Sequence, residues 1–342
     1  MPAPQQPPPT PTEGDFVLHN FRFTGGEVLP RLNLHYTTLG RRQRNAAGQV
    51  DNAVLILHRT GGAGGQFLGP DFADPLYGPG APLDLHHYYM ILPDGIGHGK
   101  SSKPSDGLRA RFPHYGYRDM VRAQHELLTR HLGVNHLRLV MGTSMGGMQS
   151  WMWAEMYPRF LDAAMPLASL PVEIAGRNRW FRRLVMEAIR NSPGYHQGEY
   201  TSPPVGIEAA FTALAMLAGS PATMQQQMPT RALADQGYDR MIADELQTQD
   251  ANDMLYQWEA SSDYNPEPEL GQIECPLLAV NSADDQVNPP ELGVMEACIQ
   301  KVRRGRYILI PRGPHTRGHG THSLAAIWRD HLEELLRESA RR

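Results

Sequence analysis

The chain has 342 residues, the length of about two average domains or of one large α/β domain with an insertion. Its residues are 41% hydrophobic and 20% charged, a composition that excludes wholesale disorder. A net charge of −4 without long basic runs argues against a nucleic-acid groove, and no stretch reaches the ~18–20 consecutive apolar residues of a membrane span. Two cysteines exclude a disulfide framework and a Cys-rich zinc module.

Residues 1–12 contain six prolines and no charged residue. Because proline cannot donate a backbone hydrogen bond, this composition predicts an extended tail that packs on nothing. The tail lacks the apolar region of a signal peptide, so it is either an ordinary tail or the remnant left after such a peptide was removed. Both an exported and a cytoplasmic protein therefore stay open.

Apolar residues recur at a spacing of two from Phe16 to Phe23 and again over residues 32–36, which predicts an antiparallel pair of strands. Almost continuous apolar runs follow, typical of strands buried on both faces: residues 53–57, 88–92, 137–141, 277–280 and 307–310. Helical patterns lie between them, at residues 117–132, 148–156, 290–302 and 322–337. This alternation predicts βαβ units, hence a mostly parallel sheet flanked by helices.

Residues 166–265 interrupt the alternation, because they contain helical patterns and no convincing strand. The helical patterns cover residues 180–189, 207–217 and 241–255. We interpret this segment as a helical cap inserted into an α/β core made of residues 13–165 and 266–342. Six of the 16 methionines fall in it; they are typical of helix packing, although methionine also adapts to varied apolar ligands.

The motif at residues 142–146, Gly-Thr-Ser-Met-Gly, follows a predicted strand and opens a helical pattern. That context is typical of a nucleophile elbow, a tight turn that admits little but glycine beside the serine. The turn lifts the serine hydroxyl above the sheet, and the helix N-terminus favours negative charge nearby. The pattern predicts Ser144 as a nucleophile.

A serine nucleophile needs a base and an orienting acid, which on such a fold follow in the order Ser, acid, His. Asp284 and Asp285 both lie in the loop after the predicted strand 277–280. We favour Asp285, because it lies four residues before Pro289, a common spacing ahead of a helix-starting proline. Asp284 remains the alternative acid.

Three histidines, His315, His319 and His322, follow the last predicted strand. His319 lies between two glycines and is predicted to be the general base. We expect His315 in an exposed loop and His322 in the first turn of the final helix. A metal cluster is the alternative, but no cysteine or carboxylate accompanies these histidines at ligand spacing, and no cofactor is expected.

An oxyanion hole would complete the site, and its first donor is predicted to be the backbone N–H of Met145. The second is expected from the Gly-rich loop at residues 58–62, where we favour the N–H of Thr60. Phosphate binding by this loop is the alternative, but no G-x-x-x-x-G-K-[ST] motif is present and no helical pattern follows. The aromatic side chains of the cap suggest a mainly apolar substrate pocket, although each of them could instead belong to the cap core: Trp180, Phe181, Phe211, Tyr256 and Trp258. Arg59 and Met186 are further candidate pocket residues.

Residues 13–21, 32–40 and 142–149 resemble the homoserine O-acetyltransferase branch of the α/β-hydrolase superfamily. The resemblance covers nearly the whole chain after the tail. It implies an α/β-hydrolase fold with an inserted cap, a Ser-Asp-His triad at Ser144, Asp285 and His319, and a homodimer formed through the caps.

Two positions depart from that branch. Its acetyltransferases carry an arginine where this chain has Met186, and an aspartate where it has Gly320. Without these charges, the ammonium and carboxylate of homoserine would be buried unpaired, at a cost of several kcal/mol. The chain therefore resembles hydrolase-type relatives that share the segment 318–321, Gly-His-Gly-Thr.

The sequence thus predicts a serine hydrolase that acts on a small carboxylic ester, with an amide or a thioester as the less favoured substrates. Acyl transfer through the same triad is the alternative, and a non-catalytic binding module on the same fold is a third hypothesis. Cys275 and Cys298 are expected near one edge of the sheet, either as a disulfide in an exported protein or as free buried thiols.

Overall fold

One eight-stranded sheet organises the computed structural model, which describes residues 10–340. Its strands lie in the order β1-β2-β4-β3-β5-β6-β7-β8. The pairs β1–β2 and β2–β4 are antiparallel, and every other pair is parallel. The strands are β1 (Thr12–Arg22), β2 (Val28–Leu39), β3 (Ala53–Leu57), β4 (Tyr89–Pro93), β5 (Leu139–Thr143), β6 (Ala164–Leu167), β7 (Leu277–Ser282) and β8 (Gly305–Ile310).

The antiparallel start and the parallel centre of the sheet agree with the prediction, although several element boundaries differ by a few residues, and the ends of the predicted tail and cap need correction. Residues 1–9 of the predicted tail lie outside the described residues, but Thr12 already belongs to β1 and pairs with Thr38. Strand β6 was not predicted, because it is four residues long and contains Pro166, which argues against a central strand. The predicted cap, residues 166–265, therefore starts inside β6.

Five helices pack on the two faces of the sheet: α1 (Pro70–Tyr77), α2 (Tyr117–Glu126), α3 (Met145–Met156), α9 (Val294–Ile299) and α10 (Ala325–Glu338). Helix α2 continues into a π-helical turn at Leu127–His131. Helix α1 corrects the expectation that no helix follows the loop at residues 58–62. It begins with Pro70, whose fixed φ suits a first helical position.

Five further helices lie between β6 and β7: α4 (Gly176–Arg190), α5 (Gly206–Ala218), α6 (Pro221–Gln227), α7 (Arg231–Thr248) and α8 (Ala251–Glu259). The helix predicted at residues 241–255 is broken, because the Asp250 carboxylate caps the N-terminus of α8. Within the described chain, no single helix is long and apolar enough to cross a membrane. Helices α5 and α6 pass that test only together, and they are bent by 107°.

The buried apolar side chains form three clusters. One lies on the face of the sheet covered by α2, α3 and α9 and includes Trp151 and Trp153. The second lies on the face covered by α1 and α10 and includes Trp328. The third joins α4, α5, α7 and α8 to one another, around Met186 and Phe211. Helices α4, α5, α7 and α8 therefore have a core of their own.

Both cysteines are buried, and both are free thiols. Cys275 lies just before β7, and Cys298 lies in α9. The sequence left open a disulfide or two free thiols, and the structure contains the free thiols.

Candidate active site

Ser144 lies in the single-residue turn between β5 and α3, with φ 55° and ψ −111°. Side-chain-bearing residues rarely adopt a positive φ, and such strain persists only where the surrounding structure imposes it. The Ser144 N–H donates to the carbonyl of Leu167 on β6, at 2.9 Å, which ties the turn to the neighbouring strand. The serine side chain is therefore held at the carboxyl end of the parallel strands.

The two glycines of the motif are required by close backbone contacts. A Cβ atom on Gly142 would lie 2.3 Å from the backbone of Gly146. A Cβ atom on Gly146 would lie 1.9 Å from the carbonyl oxygen of Leu57, at the end of β3. Any side chain at these positions would push α3 away from the strands and displace Ser144.

His319 contacts both Ser144 and Asp285. Its Nε2 lies 2.8 Å from the Ser144 Oγ, and its Nδ1 lies 2.9 Å from Asp285 Oδ2. Because the ionised carboxylate can only accept, Nδ1 carries the proton and donates to Asp285. Nε2 is then free to accept the hydrogen bond of the serine hydroxyl. The structure thus brings together the three side chains predicted to form a triad.

The Asp285 carboxylate is fully buried and accepts several hydrogen bonds. Its Oδ1 accepts the N–H groups of Val287 at 2.7 Å and Asn288 at 3.2 Å, and its Oδ2 accepts the Asn288 side-chain amide at 3.1 Å. Burial alone would raise the pKa of Asp285, but the charge of His319 and these hydrogen bonds outweigh burial and lower it. Asp285 therefore stays ionised, and Asn288 is a positioning residue that the sequence reasoning missed.

Asp284, the alternative acid, faces a different partner. Its Oδ2 accepts the hydroxyl of Thr316 at 2.8 Å and the N–H of Gly318 at 3.1 Å. These bonds join the acid loop to the loop that carries His319. The geometry therefore gives the neighbouring acids different contacts: Asp285 bonds the imidazole, and Asp284 bonds the backbone beside it.

The two other histidines lie apart from the serine. His315 is exposed, as predicted. His322 lies in a short 3₁₀ turn, Gly320–Ser323, and not in the first turn of α10, which begins only at Ala325. Burial, and then the charge of His319, holds the pKa of His322 well below its usual value, so its ring is neutral. Among residues 10–340, no group of three or more His, Cys, Asp or Glu residues is arranged to hold a metal ion.

The loop at residues 58–62 lies beside the elbow. Leu57, just before it, pairs in register with Gly142 of β5. His58 fixes the loop, because its Nε2 accepts the N–H of Gly95 at 2.8 Å. Met145 is the first residue of α3, so its N–H has no acceptor within the helix. The loop therefore lies at the end of β3, next to the end of β5 from which the turn at Ser144 leaves.

A cavity of about 50 Å³ separates this loop from helices α5, α7 and α8. Arg59, Thr60 and Gly61 line one side. Four apolar and three polar side chains, from these helices and from the turn between α7 and α8, line the rest: Phe211, Leu214, Met254, Trp258, Glu245, Gln249 and Gln257. Of the predicted pocket residues, Arg59, Phe211 and Trp258 line this cavity.

Trp180, Met186 and Tyr256, which were also predicted to line the pocket, have different environments. Trp180 is 80% exposed, because its position on α4 faces solvent. Met186 is buried in the core shared by the helices. The Tyr256 hydroxyl donates to the carbonyls of Ala110 and Phe112, so its ring packs beside that segment. The structure therefore does not place these three side chains in the cavity.

Arg182, on α4, carries a buried charge that the sequence analysis did not single out. Its side chain is only 3% exposed; Nε donates to Asn178 at 3.0 Å, and Nη1 donates to Ser261 at 2.9 Å. Its guanidinium lies 5.0 Å from the centre of the Trp258 ring. The sequence spacing could have indicated the burial of Arg182, because it precedes Met186 by four residues and the two therefore lie on the same face of α4.

The sequence profile of the alpha/beta hydrolase fold family matches residues 52–316. The chain is 38% identical over 194 residues to a homoserine O-acetyltransferase from Moorella thermoacetica, an alignment that covers 51% of this chain and 49% of the relative. The chain therefore spans about half the length of that curated relative.

Two solved structures share the fold over nearly their whole length. The homoserine O-acetyltransferase from Bacillus anthracis superposes with a TM-score of 0.82 and 21% identity, over 95% of this chain and 97% of that one. The acetyl esterase MekB superposes with a TM-score of 0.81 and 22% identity, again over 95% and 97%. Both the predicted fold and the predicted resemblance are thus confirmed. The chain belongs to the α/β-hydrolase family, and within that family it is similar to the homoserine O-acetyltransferases.

Proposed function

We propose that this chain is a serine hydrolase that cleaves carboxylic esters through an acyl-enzyme on Ser144. The observation that carries the proposal is the continuous hydrogen-bonded chain from Ser144 through His319 to Asp285, with distances of 2.8 and 2.9 Å. In such a chain the imidazole takes the serine proton, and the carboxylate fixes the imidazole ring and its tautomer. The strained backbone of Ser144 supports the same role.

The first half of the proposed reaction forms the acyl-enzyme. As Ser144 Oγ attacks the acyl carbon of the ester, its proton passes to Nε2 of His319. The ionised Asp285 carboxylate stabilises the imidazolium that results. The tetrahedral oxyanion accepts hydrogen bonds from the N–H groups of Met145 and Thr60, each such donor contributing about 10²–10³ in rate.

The second half releases the product. The protonated His319 donates its proton to the departing alkoxide, which leaves as the alcohol. The neutral ring then takes a proton from water, whose oxygen attacks the acyl carbon. Collapse of the second tetrahedral intermediate returns the proton to Ser144 Oγ and frees the acid.

Acyl transfer is the second candidate, and the 38% identity to an acetyltransferase favours it. An acceptor alcohol would replace water in the second half of the reaction, on the same acyl-enzyme. Against homoserine as that acceptor, Met186 and Gly320 stand where the acetyltransferase branch carries its arginine and aspartate. Hydrolysis is therefore the primary proposal.

The test compares the wild type with Ser144→Ala on 4-nitrophenyl esters from acetate to octanoate. We expect hydrolysis that Ser144→Ala abolishes, and no O-acetylhomoserine when acetyl-CoA and homoserine are supplied instead. The matched control is Ser150→Ala, which removes another buried serine of α3, one that bonds the Gly146 carbonyl. Acetyl transfer to homoserine would replace the hydrolase assignment with the transferase, and wild-type inactivity in both assays would contradict both.

A further inference from the structure

The cavity beside the loop at residues 58–62 is lined by a buried amide with a fixed orientation. Gln257, on α8, is only 5% exposed and lies on the cavity wall. Its Nε2 donates to the carbonyl of Gly97 at 2.8 Å. Because a carbonyl can only accept, Nε2 and not Oε1 must face Gly97. The Gln257 Oε1 is therefore directed away from Gly97 as a hydrogen-bond acceptor.

This oxygen lies next to the opposite side of the cavity. A Cβ atom on Gly61, which lines that side, would lie 3.9 Å from Gln257 Oε1. Within residues 10–340, Oε1 accepts no hydrogen bond, since the contact with Gly97 uses Nε2. A ligand that displaces water from such an oxygen loses affinity unless it supplies a hydrogen bond of its own. The cavity thus favours a group that donates.

Two more side chains with acceptor atoms line the same cavity. Glu245, on α7, is half-buried, and its carboxylate makes no ion pair or hydrogen bond in the part of the chain that the structure describes. Gln249, in the turn before α8, is likewise without a side-chain hydrogen bond there. An ionised carboxylate can only accept, so Glu245 adds to the preference for a donor.

The charges around the cavity favour a neutral donor over an ion. Arg59 lines the side opposite these acceptors, and its Nη1 donates to the carbonyl of Thr60 at 3.2 Å. The Arg59 guanidinium repels an ammonium group, and the Glu245 carboxylate repels an anion. A hydroxyl group avoids both repulsions and still donates one hydrogen bond.

The size and the apolar surface of the cavity limit the group that carries this hydroxyl. A volume of about 50 Å³ holds roughly three to five water-sized atoms, at ~10–15 Å³ for each. The four apolar side chains on the wall favour methylene groups: Phe211, Leu214, Met254 and Trp258. A stem of two or three carbons that ends in a hydroxyl matches both properties.

The cavity also borders the proposed reaction centre. Thr60, whose N–H is the proposed oxyanion donor, lines the cavity. Leu57 and Gly142 pair in register on the parallel strands β3 and β5, so the loop after β3 and the turn at Ser144 leave the same edge of the sheet. A substituent of an ester bound at Ser144 therefore has this cavity beside it.

We propose that this cavity binds a short hydroxyalkyl group of the substrate, whose hydroxyl donates to Gln257 Oε1 beside the Glu245 carboxylate. The ester cleaved at Ser144 is then one with a hydroxyl two or three carbons from the ester group. This inference rests on the proposed hydrolase function and names the substrate class of the same site.

The hydroxyalkyl group can belong to either side of the scissile bond, so the experiment uses two pairs of esters that differ only by a hydroxyl in place of a methyl group. On the alcohol side, 3-hydroxypropyl acetate is compared with butyl acetate. On the acyl side, methyl 3-hydroxypropanoate is compared with methyl butanoate. The readout is the ratio of kcat/KM within each pair, measured by acid release in a pH-stat. Dividing it by the ratio of the alkaline hydrolysis rates removes the intrinsic reactivity of the esters.

We expect the wild type to prefer the hydroxyl member of one pair by at least about 10-fold, which identifies the side that enters the cavity. Gln257→Met removes the acceptor at similar volume and should lower that ratio about 10-fold. Glu245→Met, at a half-buried position without partners, should lower it about 3-fold, because a partly solvated charge contributes less. The matched control is Gln247→Met, an exposed glutamine of α7, which should leave the ratio unchanged.

A normalised ratio near one in both pairs would overturn the inference. So would a Gln257→Met variant that loses activity equally on both members of the preferred pair, because that is the result of a purely structural role. If Gln257→Met does not fold, Glu245→Met decides by the same ratio. Cleavage of butyl acetate or methyl butanoate that Ser144→Ala abolishes would show that the hydrolase proposal survives such a failure.

Binding decides the case in which the wild type cleaves no ester. At least one of 3-hydroxypropyl acetate and methyl 3-hydroxypropanoate must then raise the Tm of Ser144→Ala more than its methyl counterpart does. The same compound must not raise the Tm of Ser144→Ala combined with Gln257→Met. The absence of either difference would overturn the inference together with the hydrolase proposal.

Discussion

Asp284 accepts a hydrogen bond from the backbone N–H of Gly318, at 3.1 Å, one residue before His319. Its neighbour Asp285 accepts the ring N–H of His319 itself, at 2.9 Å. Two adjacent carboxylates thus position the same histidine, one through the backbone of its loop and one through its imidazole.

This division predicts unequal effects of removing each charge. We expect Asp285→Asn to lower kcat for a 4-nitrophenyl ester by about 10³–10⁴, because an amide at this position favours the wrong imidazole tautomer. Asp284→Asn should lower it only about 10-fold, since the amide oxygen still accepts one hydrogen bond. Steady-state kinetics on both variants provides the measurement. The reverse ranking would assign the triad acid to Asp284.

The contact between Gly146 and Leu57 predicts a large stability effect. Gly146→Ala places a Cβ atom 1.9 Å from a backbone oxygen, so α3 must move. We expect a loss of more than about 3 kcal/mol in the free energy of unfolding, measured with urea. Gly65→Ala is the matched control, because a Cβ atom there meets nothing within 4 Å and should change stability by less than about 0.5 kcal/mol. Equal stability of the two variants would contradict the tight elbow.

Because Glu155, on α3, is buried, we expect the free energy of unfolding to depend on pH. Burial, which outweighs the opposing charge of Arg118, raises the pKa of Glu155 to about 7 in the folded protein, and its Oε2 has no hydrogen-bond partner in the described structure. Between the unfolded pKa of about 4.5 and pH 7 the folded state therefore binds the extra proton, and stability falls as pH rises. The loss is at most about 3 kcal/mol.

Urea unfolding at pH 5 and pH 8 measures this effect. We expect Glu155→Gln to remove most of the loss between these two pH values, because glutamine cannot ionise. Glu333→Gln, an exposed position on α10, is the control and should follow the wild type. A wild type and a Glu155→Gln variant with the same pH dependence would show that Glu155 is ionised without cost.

The strands and the elbow were predictable because their signals are local. A buried strand such as β3 is a continuous apolar run, and a turn at Ser144 needs glycines two residues away on each side. Helix α8 was harder, because its separation from α7 depends on the single cap at Asp250. Strand β6 was missed because its neighbours on both sides, β5 and β7, impose a strand on a sequence that contains Pro166.

The surroundings of the site depend on contacts that spacing does not encode. Trp180 and Arg182 are two residues apart on α4, yet one is exposed and the other is buried. Which face of α4 is covered depends on Trp258 and Ser261, about 80 residues further along the chain. The sequence therefore predicted Trp180 as a pocket residue, although it is exposed, and did not single out the buried charge of Arg182.

Because both free thiols are buried, we expect thiol reagents to modify them slowly. Burial raises the pKa of Cys275 to about 12 and also raises the pKa of Cys298, so at pH 8 neither is substantially a thiolate, the reactive form. We expect the native protein to react with Ellman's reagent at far less than one thiol per chain within minutes, and the protein unfolded in guanidinium to release two. Cys275→Ala should release one thiol after unfolding, as the control. A protein that releases none when unfolded without reductant, and two after reduction, would contain the disulfide and would contradict the structure.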